Sequence, residues 1–171
     1  MPQQHKHIYI GLGTMVLLLG SALLLRKTLF RTNKKEKLIK KIDFKVFDSP
    51  DQVGSGKCID PELVQKLRLI ESVTGYPIFQ WINSGVRTPY WNGKVGGVAN
   101  SSHKIPNCKA VDIKASSLSV RNQLVLAAKK VGFKRIGVGK TFVHLDVDST
   151  KSQYVAWGYP SGTRPEINPF V

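Results

Sequence analysis

His103, Asp112 and His144 are the residues of this chain whose types could hold a metal ion and put it to work. Two imidazoles and one carboxylate suit zinc, and a three-ligand set leaves a fourth position open for water, as a catalytic centre requires. A water in that position has its pKa drawn towards neutrality and can attack an amide carbonyl. Spacing alone does not establish such a site. His103 and Asp112 stand in HKIPNCKAVD, and a surface histidine followed by a strand-end aspartate would look the same.

The elements that must position these residues can be read from pattern. Asp60-Pro61-Glu62 starts a helix: a capping Asp, a proline in the first turn, then an acid near the positive end of the dipole. Leu63, Leu67, Ile70 and Val73 make its apolar stripe, and Gly75 stops it. Pro77–Asn83 (PIFQWIN) reads as a short strand leading into Ser84-Gly85-Val86-Arg87. Thr88–Pro106 is rich in turn formers and poor in periodicity. A loop of that length is usually functional or disordered, and His103 argues for function. Lys109–Lys114 alternates as a strand with Ala110 and Asp112 on one face. Ser119, or alternatively Ser117, caps a second helix whose Val120, Leu124, Ala127 and Ala128 face inward before Gly132 ends it.

Arg135–Val138 and Thr141–Val147 follow as strands joined by Gly139-Lys140. Phe142, His144, Asp146 and Asp148 share one face of the second strand, with Val143, Leu145 and Val147 on the other. Tyr154–Trp157 adds an edge strand, and the chain after Tyr159 reads as an extended tail. The expected class is α+β: a small, mainly antiparallel sheet with two packed helices.

The run SGVRTPYWNGKVGGVANSSH, then KAVDI, then FVHLDV, resembles the zinc D-alanyl-D-alanine carboxypeptidase family. Members of that family cut D-amino-acid peptide bonds in bacterial cell walls and share a fold with the hedgehog signalling domain. The matching motifs fall on Ser84–Arg87, Asn92–Gly97, Ser101–His103, Ala110–Ile113 and Val143–Asp146, in family order, within Cys58 to Trp157. Two features depart from the family pattern. Val86 replaces an aromatic residue, and Lys104–Lys109 lengthens the His-to-Asp interval and brings in Cys108. Loops absorb such insertions at little thermodynamic cost.

The resemblance implies a zinc cofactor held by His103, Asp112 and His144. It makes Arg87 the group that holds the substrate's carbonyl or carboxylate, a role that a planar, permanently charged fork fills better than lysine. Ser101 is a positioning hydrogen bonder, and Trp157, Tyr90 and Trp91 are candidates for the groove wall or equally for core. Relatives often carry an acid three residues before the last histidine, where this chain has Thr141. Asp146 is the expected general base instead, with Asp148 further along the same face. The reverse arrangement, Asp146 as ligand and His144 as acid/base group, stays open.

Charge is unevenly spread. Lys and Arg exceed Asp and Glu by 15 over 171 residues, and residues 1–41 contribute nine basic side chains against one acid. The remainder is still basic, which suits an anionic partner such as cell-wall glycan with its acidic stem peptides. Nucleic acid is not expected, for there is no zinc-finger spacing, RNP-like motif or basic helix interleaved with aromatics. Cys58 and Cys108 form no CxxC pair, so they are either a disulfide or two free thiols.

Ile8–Leu25 carries no charged residue. As a helix it would span about 27 Å at ~1.5 Å per residue, near the roughly 30 Å of bilayer hydrocarbon. A basic run follows at once with no A-x-A site, so an uncleaved anchor is expected rather than a signal peptide. The organisation is then 1–25 transmembrane anchor, 26–57 basic linker, 58–159 peptidase-like domain and 160–171 tail. The basic run beyond the anchor would by itself place the domain in the cytoplasm, whereas a wall peptidase should face outward. The expected function is a membrane-anchored zinc metallopeptidase of peptidoglycan in a host envelope or virion membrane, such as a phage lytic or entry enzyme. The second reading is a non-catalytic binding or structural module that keeps the fold and the metal.

Overall fold

A computed structural model describes residues 42–171. The expected anchor at Ile8–Leu25 and the first half of the basic linker lie outside the described residues. Among those described, no helix is long and apolar enough to cross a membrane.

Five strands form one sheet: β1 (Ile82–Ser84), β2 (Ala110–Lys114), β3 (Arg135–Val138), β4 (Phe142–Asp146) and β5 (Val155–Gly158), in the order β1-β2-β4-β3-β5. All neighbours run antiparallel except β3 and β5, which are parallel. Three α-helices accompany them: α1 (Pro61–Thr74), α2 (Pro89–Lys94) and α3 (Leu118–Lys130). The α+β class expected from sequence is therefore present, with one more helix than expected.

Strand alternation divides the sheet into two faces. Val111, Ile113, Ile136, Val138, Val143 and Leu145 are all buried and point to one side, against α3, which also packs on α1. Asp112, His144, Asp146, Arg135 and Gly137 occupy the other side. Pairing registers Ser84 with Asp112, Asp112 with His144, His144 with Gly137, and Gly137 with Trp157. One row thus crosses all five strands. The next row aligns Ala110, Asp146, Arg135 and Val155.

Helix α1 begins and ends where its signals say. The Asp60 carboxylate accepts from Glu62 N–H at 2.8 Å, and Gly75 takes the left-handed conformation that closes the helix. Leu63, Leu67 and Ile70 are buried together with Val64, but Val73 is half-exposed. Ten residues past Leu63 falls about 80° short of three full turns, which swings Val73 off the stripe. Helix α3 is capped by Ser117, whose hydroxyl accepts from Val120 N–H, and not by Ser119. Its inward face is correspondingly shifted: Val120 is only half-buried, while Arg121 and Val125 are buried.

Two further expectations are corrected. Pro77–Asn83 is not a strand; Ile78–Trp81 is a 3₁₀ turn and only Ile82–Ser84 pairs. Thr88–Pro106 is not wholly loop, since α2 starts on Thr88, which caps Trp91 N–H, with Pro89 in the first turn. Six residues are too few to show a 3.6-residue period.

The domain also begins earlier than Cys58. The compact unit runs Asp43–Val171. Phe47 is fully buried and its carbonyl accepts from Val86 N–H at 2.8 Å. A Cβ on Gly85 would lie 2.6 Å from that carbonyl oxygen, so the glycine of the Ser-Gly-Val-Arg turn is needed for close backbone approach. Cys58 and Cys108 form a disulfide. It ties this N-terminal segment to the loop between His103 and Asp112. The tail after β5 folds back as well: Gly158 N–H donates to Thr163 O, and Glu166 pairs with buried Arg121 at 2.8 Å.

The disulfide joins residues separated by 50 positions, and a cross-link over such a loop is worth about 2–5 kcal/mol, mainly through the unfolded chain. Reduction should lower the denaturant midpoint accordingly. An unchanged midpoint in dithiothreitol would show that the cross-link does not restrain this chain.

Candidate metal centre

Each candidate ligand is delivered by a different local device. Asp112 sits in mid-β2 and His144 opposite it in mid-β4. His103 comes from the loop after α2, in a turn closed by Lys104 N–H to Ser101 O. The Ser101 hydroxyl lies 3.3 Å from the His103 N–H. The loop ahead of it is shaped by Asn92, whose side-chain amide donates to the carbonyls of Gly97 and Val98. Gly97 fits against that amide only because it lacks a Cβ, which would lie 2.2 Å from Asn92 Oδ1. This accounts physically for the Asn-x-x-x-Gly-Gly pattern.

The three side chains are buried and converge. His144 Nδ1 is 2.8 Å and His103 Nε2 is 3.3 Å from Asp112 Oδ1, and the two nitrogens are 3.1 Å apart. Their outward atoms decide which ring nitrogens carry hydrogen. His103 Nδ1 is 2.6 Å from the Gly85 carbonyl, which can only accept, so Nδ1 donates and Nε2 presents a lone pair. His144 Nε2 is 3.2 Å from the Asp146 carboxylate, so there too the hydrogen is on the outer nitrogen and Nδ1 faces inward.

Three lone pairs therefore meet within one triangle, an arrangement that is repulsive unless a cation lies among them. Tetrahedral zinc with bonds of ~2.0–2.1 Å sets its donors about 3.3 Å apart. The triangle observed is near that size, and His103, Asp112 and His144 together meet the requirements of a metal site.

Electrostatics agree. Burial alone would push the Asp112 carboxyl up, but the charge and hydrogen bonds of His103 and His144 outweigh it and hold the group well below the usual carboxylate range. Burial pulls His103 down, partly opposed by Asp112. Burial also works against protonated His144, yet its hydrogen bonds to the Asp112 and Asp146 carboxylates raise it to about 9. Without metal, a proton is thus the cation that this triangle retains, and metal must displace it.

Every ligand has an outer partner. Arg87 Nη2 holds the second oxygen of Asp112 at 2.6 Å while its Nε donates to Ser84. Asp146 is almost wholly buried; Arg135 Nε lies 2.8 and 3.0 Å from its two oxygens, and the Asp148 N–H donates to Oδ1. Such carboxylate–histidine contacts orient a ligand and raise its basicity. Asp146 is accordingly committed to His144 and Arg135, so the geometry does not suit the general-base role expected for it. Asp148 accepts from Ser102 and Thr150.

A cleft of about 550 Å³ opens over the triangle. Arg87, Ser101 and Trp157 line it, with the Trp157 ring 5.4 Å from that of His144. Tyr90 and Trp91 are not on its wall; Tyr90 is exposed, and Trp91 carries Lys94 over its ring at 4.7 Å. Residues that sequence reading passed over also line the cleft: Arg135, Phe142, Lys151 and Tyr159, with Val95 and Val98 at the rim. The Tyr159 phenol is pushed up to about 12 by burial and by Asp112. The usable signal was Gly137, a glycine inside a strand pattern, which marks close approach of other atoms. A Cβ there would lie 2.9 Å from Trp157 Cε2 and 2.8 Å from Tyr159 Cε2.

A family model described as Peptidase M15 matches residues 33–146, from the basic segment through Asp146. The chain belongs to the Peptidase M15 family. This is a zinc-dependent, D-Ala-D-Ala carboxypeptidase-like peptidase family, and the buried triangle provides a ligand set that suits its metal. A comparison with curated proteins finds no match. Within this M15 chain the family model ends at the residue that steadies the last histidine.

Replacing Asp146 with Asn should therefore act first on the metal. Loss of the carboxylate behind His144 should weaken zinc binding by roughly 10–100-fold, read by competition with a chromophoric chelator. Unchanged affinity with reduced turnover would instead return Asp146 to a proton-transfer role.

Proposed function

We propose that this M15 chain is a zinc peptidase that hydrolyses D-amino-acid-containing peptide bonds of peptidoglycan stem peptides. The observation that carries the reading is the triangle of inward lone pairs, each ligand braced from behind. His103 through Nε2, Asp112 through Oδ1 and His144 through Nδ1 would hold the ion. Zinc bound there supplies a Lewis acid that polarises a carbonyl and acidifies water.

The chain's own groups do the rest. Arg87 braces Asp112, and its Nη1 has no hydrogen-bond partner among the described residues. That leaves one donor of a fixed fork to meet the substrate's carbonyl or carboxylate. Trp157 and Phe142 supply apolar wall, against which a small D-alanyl side chain loses water. Ser101 keeps the His103 loop in place. The surplus of Lys and Arg over the domain draws in the acidic stem peptide.

We further infer that Ile8–Leu25 anchors the protein with its domain outside the cytoplasm, in a host envelope or virion membrane. The disulfide supports that orientation against the basic run, because such bonds persist in oxidising compartments.

One observation favours the second reading, a metal-retaining binding module. Among the described residues lining the cleft, the carboxylates are Asp112 and Asp146, and both are fully engaged. Among these described residues no free acid stands ready as a general base.

Hydrolysis separates the two. Full-length protein in detergent, given purified cell wall, should release stem-peptide fragments. Chelator should stop the release and zinc restore it. Free D-alanine as product would mark a carboxypeptidase, and cleaved cross-links an endopeptidase. His103→Ala should lose both stoichiometric zinc and release. Zinc binding without any released peptide from wild type would establish the binding module instead.

A further inference from the structure

We propose that Tyr159 is a hydrogen-bond donor to the substrate, placed to meet the carbonyl oxygen of the scissile bond as negative charge develops on it. The proposal rests on the peptidase reading and adds a residue to it.

The placement follows from the sheet register. Gly137 pairs with His144 on one side and with Trp157 on the other. It contributes no side chain to the row, so rings from the β5 end can lie over it. A Cβ on Gly137 would stand 2.9 Å from Tyr159 Oη. The phenol oxygen thus lies directly above the strand neighbour of His144. Antiparallel neighbours are about 4.5–5.5 Å apart at Cα, so Tyr159 sits one strand spacing from a proposed metal ligand. Arg87 reaches the triangle from the β1 side of the same row, which puts the two donors on opposite flanks.

The ring is held rather than loose. Its centroid is 4.8 Å from that of Phe142 and 6.5 Å from that of Trp157. Its hydroxyl proton has no protein acceptor among the described residues, whereas the hydroxyl of Tyr76 is bonded to Gln123. A fixed donor on a cleft wall with nothing to donate to is preorganised for a ligand oxygen. A phenol keeps its proton at working pH, so Tyr159 stabilises charge by donation and transfers nothing. Such donors act mainly on the transition state.

The test compares wild type with Tyr159→Phe, which retains the ring packing and removes only the hydroxyl. The probe is a phosphinate analogue of a D-alanyl-D-alanine dipeptide, whose tetrahedral oxygens mimic the developing charge. It is titrated calorimetrically into the zinc-loaded, full-length protein. We expect roughly 10²-fold weaker binding for the variant, with zinc content and Tm unchanged. Turnover on stem peptide should fall similarly, in kcat rather than KM. Equal phosphinate affinity in the two proteins, or no binding by wild type, overturns the proposal. Should wild type bind phosphinate but cleave nothing, the peptidase reading fails while the affinity comparison still decides Tyr159. If Tyr159→Phe lowers Tm, Gly137→Ala provides the second variant. Displacing both rings, it should weaken phosphinate binding with the distant helices intact, and unaltered affinity would again refute the role.

Discussion

The site depends on strand register. Asp112, His144, Gly137 and Trp157 belong to one row because β2, β4, β3 and β5 pair as they do, and a slip of one residue would turn every one of them to the helix face. That slip is opposed from the other side. Val111, Ile113, Val143, Leu145, Ile136 and Val138 are buried against the helices, and at ~25 cal/mol per Å² no register that exposes them competes. The hydrophobic face thus sets the geometry of the polar face. A catalytic row can be held to tenths of an ångström without any of its own members providing stability.

Burying two histidines and two aspartates around one point, with two arginines half-buried beside them, needs compensation, since desolvation of each charge is expensive. Compensation comes from partners outside the triangle: Arg87 donates to Ser84 and Asp112, His103 to Gly85, His144 to Asp146, and Arg135 to Asp146. The two arginines balance the two carboxylates. At the centre the chain leaves three lone pairs facing one another, so the network is complete only with a cation. A structural ion-pair cluster has no reason to aim His103 Nε2 at His144 Nδ1.

Much of this was legible in the sequence. The α1 signals are local, so Asp60 and Gly75 sufficed, and period-two alternation in FVHLDV placed His144 and Asp146 on one face. Alternation gives the face of a residue but not its partner. Asp146 therefore looked available as a base, because nothing in the sequence revealed that the hairpin register sets Arg135 directly across from it. The α2 helix was missed because it is shorter than two turns. Residues 43–57 read as linker because their main contacts, through Phe47 and the disulfide, are with segments far along the chain. Tyr159 was hidden for the same reason: its position depends on a glycine in another strand.

The most direct measurement is anomalous diffraction at the zinc edge on crystals of the metal-loaded protein. The account predicts one peak per chain, coordinated by His103 Nε2, Asp112 Oδ1 and His144 Nδ1, with Asp146 still bonded to His144 Nε2. A peak ligated by Asp146, with the His144 ring turned away, would contradict it. So would the absence of a peak at this triangle in crystals grown with zinc.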